Sequence, residues 1–139
     1  MSIEDLELWF SEAINDFDGG DLMMRGGKFN LAVFDFVQAA EKAVMAILYY
    51  FDVTGWGHDI EMLPRQYEEF GRPVAEILKE SAKELQRHYI STRYPDASPG
   101  IAPKDAYDEV LAQDLREKAG SILTFAQQEK NYLLQGGIP

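Results

Sequence analysis

The segment FNLAVFDFVQAAEKAVMAILYYF, residues 29–51, constrains the fold most because it is apolar on nearly every side. A segment of this kind predicts a helix that is enclosed by its neighbours. Polar residues from Asp35 to Lys42 interrupt it, so it lacks the uninterrupted apolar run of about 18 residues or more that a membrane span needs. We therefore predict a buried central helix over residues 28–52 and no membrane segment.

Apolar residues at helical spacing account for most of the remaining chain, and no alternating strand pattern occurs. The first helix has Ser2 as its expected N-cap, while Gly19 and Gly20 inside it predict a bend or an early end. Gly26 and Gly27 are the stronger signal for the end of this helix. The other predicted helices cover residues 3 to about 25, a short stretch within 58–71, Pro73 to about 92, and Pro103 to about 134.

Four long helices with short connections, plus one short helix, predict an all-α antiparallel four-helix bundle with an additional short helix. The length of 139 residues indicates a single domain, residues 1–139, with residues 135–139 as a frayed tail. The chain has no cysteine and an acidic start without the features of a signal peptide. We expect a cytoplasmic location.

Composition excludes several kinds of chemistry. The net charge of -11 argues against a general binder of nucleic-acid backbones, since such affinity comes from lysine and arginine. With two histidines and no cysteine, the chain offers neither a thiolate zinc site nor the Glu-x-x-His pairs of di-iron bundles. It also has no phosphate-binding glycine loop and no dinucleotide fingerprint. We expect no metal and no cofactor.

The polar residues of the central helix are not scattered. At 100° per residue, Asp35, Gln38, Lys42 and Tyr49 fall within roughly 60° of one another, with Glu41 beside them. Two interpretations remain open. In the first, these residues form a polar network within the fold or at a dimer seam. In the second, they form the polar wall of a ligand-binding or catalytic groove.

The sequence Arg93-Tyr94-Pro95-Asp96 lies in a long break between predicted helices. Pro95 disfavours helical geometry at Tyr94, so the preceding helix must end near this point. In the structural interpretation, Arg93 holds the loop through Asp96 or a carboxylate of the central helix, and Tyr94 packs. In the functional interpretation, Arg93 binds a phosphate bidentately and Tyr94 stacks on a base.

Three stretches, FVQAAEKAVMAIL, GWGHDIEML and YISTRYPDA, resemble the HEPN family in their order and separation. The family name denotes a nucleotide-binding domain of higher eukaryotes and prokaryotes, and the resemblance runs from Leu6 through Ala126. It implies a compact helical bundle that is commonly a homodimer. The candidate ligand-binding residues are Asp35, Gln38, Glu41, Lys42, Arg93, Tyr94 and Asp96.

Many members of the family are metal-independent RNases of toxin or defence systems, with an arginine followed four to six residues later by a histidine. Neither histidine of this chain follows an arginine at that spacing, so we do not assign enzyme activity. Other members accompany small nucleotidyltransferases. Met45 also stands where many relatives carry a lysine, which removes one possible phosphate contact.

The resemblance favours a binding or partner module in a toxin–antitoxin or defence type of system. It would bind a nucleotide-type ligand, or associate with a separate small nucleotidyltransferase. One alternative is an atypical RNase in which Arg93 contacts the scissile phosphate of RNA and His88 or His58 supplies acid–base chemistry at a dimer interface. The other alternative is a purely structural interaction domain.

Overall fold

The computed structural model describes residues 2–53 and 59–136, and regular structure within them is entirely helical. Four longer helices and three short ones confirm the predicted all-α bundle, while the division into domains stays a prediction. The helices are α1 (Ile3–Arg25), α2 (Phe29–Tyr49), α3 (Leu63–Glu68), α4 (Glu76–Gln86), α5 (His88–Ser91), α6 (Pro103–Ala106) and α7 (Glu109–Leu134), with a 3-10 turn at Pro95–Ala97.

Helix α2 is the centre of the bundle. It contacts every other helix, and each residue from Ala43 to Leu48 is buried. The prediction of an enclosed helix is therefore confirmed. The helix ends at Tyr49 rather than near residue 52, and Asp52 adopts a left-handed conformation with φ of 62°. No helix in the described part of the chain is both long and apolar enough to cross a membrane.

Helix α1 begins and ends as predicted but does not break in between. Ser2 caps it by accepting a hydrogen bond from the Asp5 amide at 3.2 Å. Gly27, which follows the helix, adopts a left-handed conformation with φ of 73°. The predicted early end at Gly19 and Gly20 is wrong, because the helix continues through both residues to Arg25. A Cβ atom on Gly20 would lie 2.3 Å from Phe36 Cε1, so this glycine allows α1 to approach α2 closely.

The prediction of one helix from Pro73 to about residue 92 is also wrong. Helix α4 starts only at Glu76 and ends at Gln86, and Arg87, which keeps right-handed helical dihedrals, separates it from the short α5. The Thr92 hydroxyl donates to the His88 carbonyl one turn back at 3.0 Å. Such side-chain bonds compete with the backbone ladder at the end of a helix.

The last long helix does not begin at Pro103, which starts only the four-residue α6. Tyr107 is extended, and Asp108 caps α7 by accepting from the Leu111 amide at 2.8 Å. Helical spacing puts Ile77 and Val110 on the apolar faces of α4 and α7, yet they are 66% and 80% exposed. Both lie in the first turn of their helices.

Candidate functional site

A recess of about 220 Å³ opens between α1, α2 and α5, and we call it the Tyr89 recess. Its floor consists of successive turns of α2, with α1 and α5 as its sides. It combines two aromatic rings with an amide, a carboxyl group and an ammonium group. The lining residues are Trp9, Gln38, Glu41, Lys42 and Tyr89. The structure thus brings together three of the seven predicted site residues.

Lys42 lies between the recess and α1. Its Nζ is 2.8 Å from Asp16 Oδ2, and both side chains are partly exposed. An ammonium group has three N–H donors, so the ion pair leaves Lys42 able to donate to a ligand as well. Lys42 therefore belongs both to a network within the fold and to the wall of an open recess.

Asp35 faces α1 rather than the recess. Its Oδ2 lies 3.4 Å from the position that a Cβ atom on Gly19 would take. Burial raises the pKa of Asp35 to about 6, and the nearby Asp16 adds to the rise while Lys42 opposes it. For Asp35, the interpretation as a polar network within the fold fits the structure better than the groove interpretation.

Glu41 is a buried acid at the floor of the recess, with only 3% of its surface exposed. Burial raises its pKa to about 7, Lys42 opposes the rise, and Asp16 adds to it. Near neutral pH the side chain thus exchanges between a carboxylate, which only accepts hydrogen bonds, and a carboxylic acid, which also donates one.

Two lining residues, Trp9 and Tyr89, were not predicted as site residues. The Trp9 ring stacks on Tyr49 with centroids 5.2 Å apart and planes inclined by 27°, which fixes the indole at the mouth of the recess. Helical spacing alone does not show that residue 9 faces residue 49. That pairing depends on how α1 and α2 lie against each other.

Arg93 lies beside Tyr89 and holds it. Its Nε and Nη2 donate to the Tyr89 carbonyl at 3.3 and 3.1 Å. Its guanidinium carbon is 4.4, 4.9 and 5.0 Å from the ring centroids of Phe34, Tyr89 and Tyr94. In the described part of the chain these contacts replace the predicted bond to a carboxylate, because the aromatic rings enclose the guanidinium group.

The contacts of Arg93 place it next to the recess. Phe34 precedes Gln38 by one helical turn, about 6 Å along α2, and Tyr89 lines the recess directly. Tyr94 and Asp96, which follow Arg93 in the sequence, do not line the Tyr89 recess. Tyr94 and Asp96 line a separate shallow depression of about 350 Å³ with Ile90 and Ala97.

His88 is turned into the fold. Its Nδ1 lies 2.7 Å from the Tyr107 hydroxyl, which is also 2.7 Å from Ser91 Oγ. Its Nε2 lies 3.5 Å from Glu84 Oε1, and burial lowers the pKa of the imidazole. His58 and the GWGH stretch lie outside the described residues. Within those residues, no group of three or more His, Cys, Asp or Glu side chains is arranged to hold a metal ion.

The fold and the recess define a helical-bundle protein with a small site that is both aromatic and polar. The HEPN domain family matches residues 6–130, and the chain therefore belongs to the HEPN family. The comparison with curated proteins found no match.

Solved structures of similar proteins share this fold. TT1696 from Thermus thermophilus is 30% identical, with a TM-score of 0.84 over 89% of this chain and 97% of that one. ST0689, an archaeal HEPN homologue, is 28% identical, with a TM-score of 0.76 over 91% and 98%. An HEPN domain protein from Thermotoga maritima is 26% identical, with a TM-score of 0.67 over 86% and 94%.

Proposed function

We propose that this protein binds a nucleotide-type ligand in the Tyr89 recess. The observation that carries the proposal is the convergence of an aromatic ring, an amide and an ammonium group, contributed by α5 and α2, on one small opening. Tyr89 offers a surface on which a base stacks, and Gln38 offers both a donor and an acceptor for the base edge. Lys42 offers the charge for a phosphate.

Arg93 supports this site indirectly. It bonds the carbonyl of Tyr89 and lies against its ring, so it fixes the side chain on which the base would stack. Two of its N–H donors are used by that carbonyl, which leaves fewer for a bidentate phosphate contact than the sequence suggested. Arg93 is thus a positioning residue in this proposal.

The test is calorimetric titration of the four ribonucleoside monophosphates into wild-type protein and the Lys42→Met variant. We expect the variant to bind at least about tenfold more weakly, since it loses a charged contact worth roughly 1.5–3 kcal/mol. Lys118→Met is the matched control, because Lys118 is also partly exposed and also paired, with Asp114 at 2.7 Å. The absence of nucleotide binding to wild type, or equal losses in both variants, would refute the proposal.

A second candidate function is association with a small nucleotidyltransferase in a toxin–antitoxin or defence system. An open groove between α1, α4 and α7 supports it, with apolar residues such as Ile14, Phe17 and Leu78 in its lining. Accessible apolar surface of this kind marks sites of protein association. The idea is tested by a search for a small nucleotidyltransferase gene beside this one and by calorimetry with its purified product. The absence of binding, or an Ile14→Glu variant that bound equally well, would contradict it.

The geometry of His88 weighs against an atypical RNase that relies on this residue. One imidazole nitrogen is occupied by Tyr107, and the other is enclosed beside Glu84. A general acid or base must come within hydrogen-bond distance of the reacting group. The third alternative, a purely structural interaction domain, would be supported if the protein neither bound nucleotides nor cut RNA.

A further inference from the structure

A second recess of about 190 Å³ adjoins the Tyr89 recess on its α1 side, and we call it the Leu8 recess. Leu8, Trp9, Glu12 and Lys42 line it. Trp9 and Lys42 line both recesses, so the two openings are neighbours separated by an indole ring and an ammonium group. The stack of Trp9 on Tyr49 holds the indole in place.

We infer that the two recesses together bind a dinucleotide unit, with one base in each recess and the phosphodiester that joins them at Lys42. This inference rests on the proposed function and specifies the ligand class of the same site. Two features of the structure support it: the volume of the recesses and the charge around Lys42.

The volumes favour a ligand with two parts. Each recess is smaller than the roughly 300 Å³ at the lower end of typical ligand pockets, whereas the two together exceed that limit. Leu8 is 59% exposed and presents an apolar surface to a base, in place of the aromatic ring that Tyr89 presents on the other side. The two recesses thus offer separate apolar contacts on either side of one cation.

The charges favour a diester over a terminal phosphate. Among the described residues that line the two recesses, Lys42 is the only cation, and Asp16 already pairs with it at 2.8 Å. Glu12 adds a carboxylate to the Leu8 recess. A phosphodiester carries one negative charge and is repelled less by these carboxylates than a terminal phosphate with nearly two. Glu12 is also an acceptor for ribose hydroxyl or base amino groups.

The experiment compares AMP, CMP, GMP and UMP with ApA, CpC, GpG and UpU by calorimetric titration of the same protein. We expect the best dinucleoside monophosphate to bind at least about tenfold more tightly than its mononucleotide. In Leu8→Asp the ratio of dinucleotide to mononucleotide affinity should fall to about one, because the apolar contact for the second base is lost. Leu22→Asp is the control, because Leu22 is also 59% exposed on α1 but lies about 21 Å farther along the helix.

Each outcome decides between the two proposals. Equal affinity for mononucleotides and dinucleotides would overturn the two-recess inference and leave the proposed function standing. An advantage that survived Leu8→Asp, or that was lost equally in Leu22→Asp, would overturn it as well. If none of the eight compounds bound to wild type, the proposed function and this inference would both fail. Unchanged melting temperatures of the unliganded variants exclude unfolding as the cause of any loss.

Discussion

At the scale of single residues, Gly20 shows a role that helix propensity does not predict. A glycine inside a helix costs about 1 kcal/mol relative to alanine, yet α1 continues through this position. The absence of a side chain at Gly20 lets α1 pack closely against α2, because the Phe36 ring of α2 occupies the space in which a Cβ atom would sit. The contact between α1 and α2 therefore depends on this missing side chain.

Gly20→Ala should destabilise the protein by about 1–3 kcal/mol, since the added methyl group overpacks a rigid aromatic contact. Gly120→Ala is the matched control in α7, where the new Cβ would lie 3.7 Å from Phe17 Cζ, an ordinary contact distance. We expect that control to be neutral or to gain up to about 1 kcal/mol. Urea denaturation measures both, and equal stability of the two variants would show that Phe36 yields easily.

Arg93→Lys should lower the free energy of unfolding of the unliganded protein by about 1–3 kcal/mol. A lysine cannot reproduce the two donors to the Tyr89 carbonyl together with planar contacts to three rings. Arg87→Lys is the control, because the Arg87 side chain is exposed and, in the described structure, pairs only with Glu84 three residues earlier. If Arg93 served only to reach a ligand phosphate, the melting temperature without ligand would not change.

Glu41 should make stability depend on pH. Because its pKa in the folded state is raised from 4.5 to about 7, the folded protein binds more protons than the unfolded chain between these values. Stability is then greatest below this window and falls as pH rises through it, by up to about 3 kcal/mol from this group. Asp35, with its pKa raised to about 6, contributes in the same direction. His88, whose pKa is lowered, contributes in the opposite direction as pH falls below about 6.5.

The comparison that isolates Glu41 is urea denaturation of wild type and Glu41→Gln at about pH 5 and about pH 8. The contribution of His88 is common to both proteins and cancels in the difference. We expect the loss of stability with rising pH to be smaller in the variant. Identical losses in the two proteins would mean that the Glu41 carboxyl is not protonated in the folded state near neutral pH.

At the scale of elements, the segment from α5 to the start of α7 is held by hydrogen bonds between side chains as well as by short helical turns. The Tyr107 hydroxyl contacts both His88 and Ser91, and Asn30 on α2 donates to the Thr92 carbonyl at 3.0 Å. These bonds fix α5, which carries Tyr89. The recess therefore depends on a connection that has little regular structure of its own.

Tyr107→Phe should loosen this segment, because it removes both hydrogen bonds while it keeps the buried ring. We expect a loss of about 1–3 kcal/mol and faster amide hydrogen exchange over residues 88–107, as measured by mass spectrometry. Tyr94→Phe is the control, since the Tyr94 side chain is exposed. Unchanged exchange in Tyr107→Phe would show that the hydroxyl contributes nothing to the order of this connection.

At the scale of the whole molecule, we predict a homodimer, as the resemblance to the HEPN family implies. The apolar central helix does not supply the dimer surface, because α2 is covered within one chain. The remaining basis is exposed apolar surface. It includes Leu8, Ile14, Leu22, Ile77, Ile90 and Val110.

Size exclusion with light scattering at tens of micromolar tests the dimer, and we expect twice the mass of one chain. The same measurement on Leu22→Asp and Ile77→Asp shows which side of the bundle is involved, because these exposed residues lie on different helices. A mass equal to one chain for wild type throughout this concentration range would refute the prediction.

The sequence by itself determined the features that arise from local chemistry. The apolar pattern of residues 29–51 is sufficient to predict an enclosed helix, Ser2 is sufficient to predict the cap of α1, and Gly26 and Gly27 are sufficient to predict where α1 stops. It also identified Gln38, Glu41 and Lys42 as neighbours, because residues three or four apart on a helix share a face.

Only the tertiary structure decided which side chains meet across helices. The indole of Trp9 lies on Tyr49, and Tyr89 comes from a short helix to complete the recess. The guanidinium of Arg93 lies among aromatic rings instead of beside a carboxylate. The physical reason is that these contacts depend on the relative rotation and spacing of helices, which packing sets through details such as the overlap that excludes any side chain at Gly20.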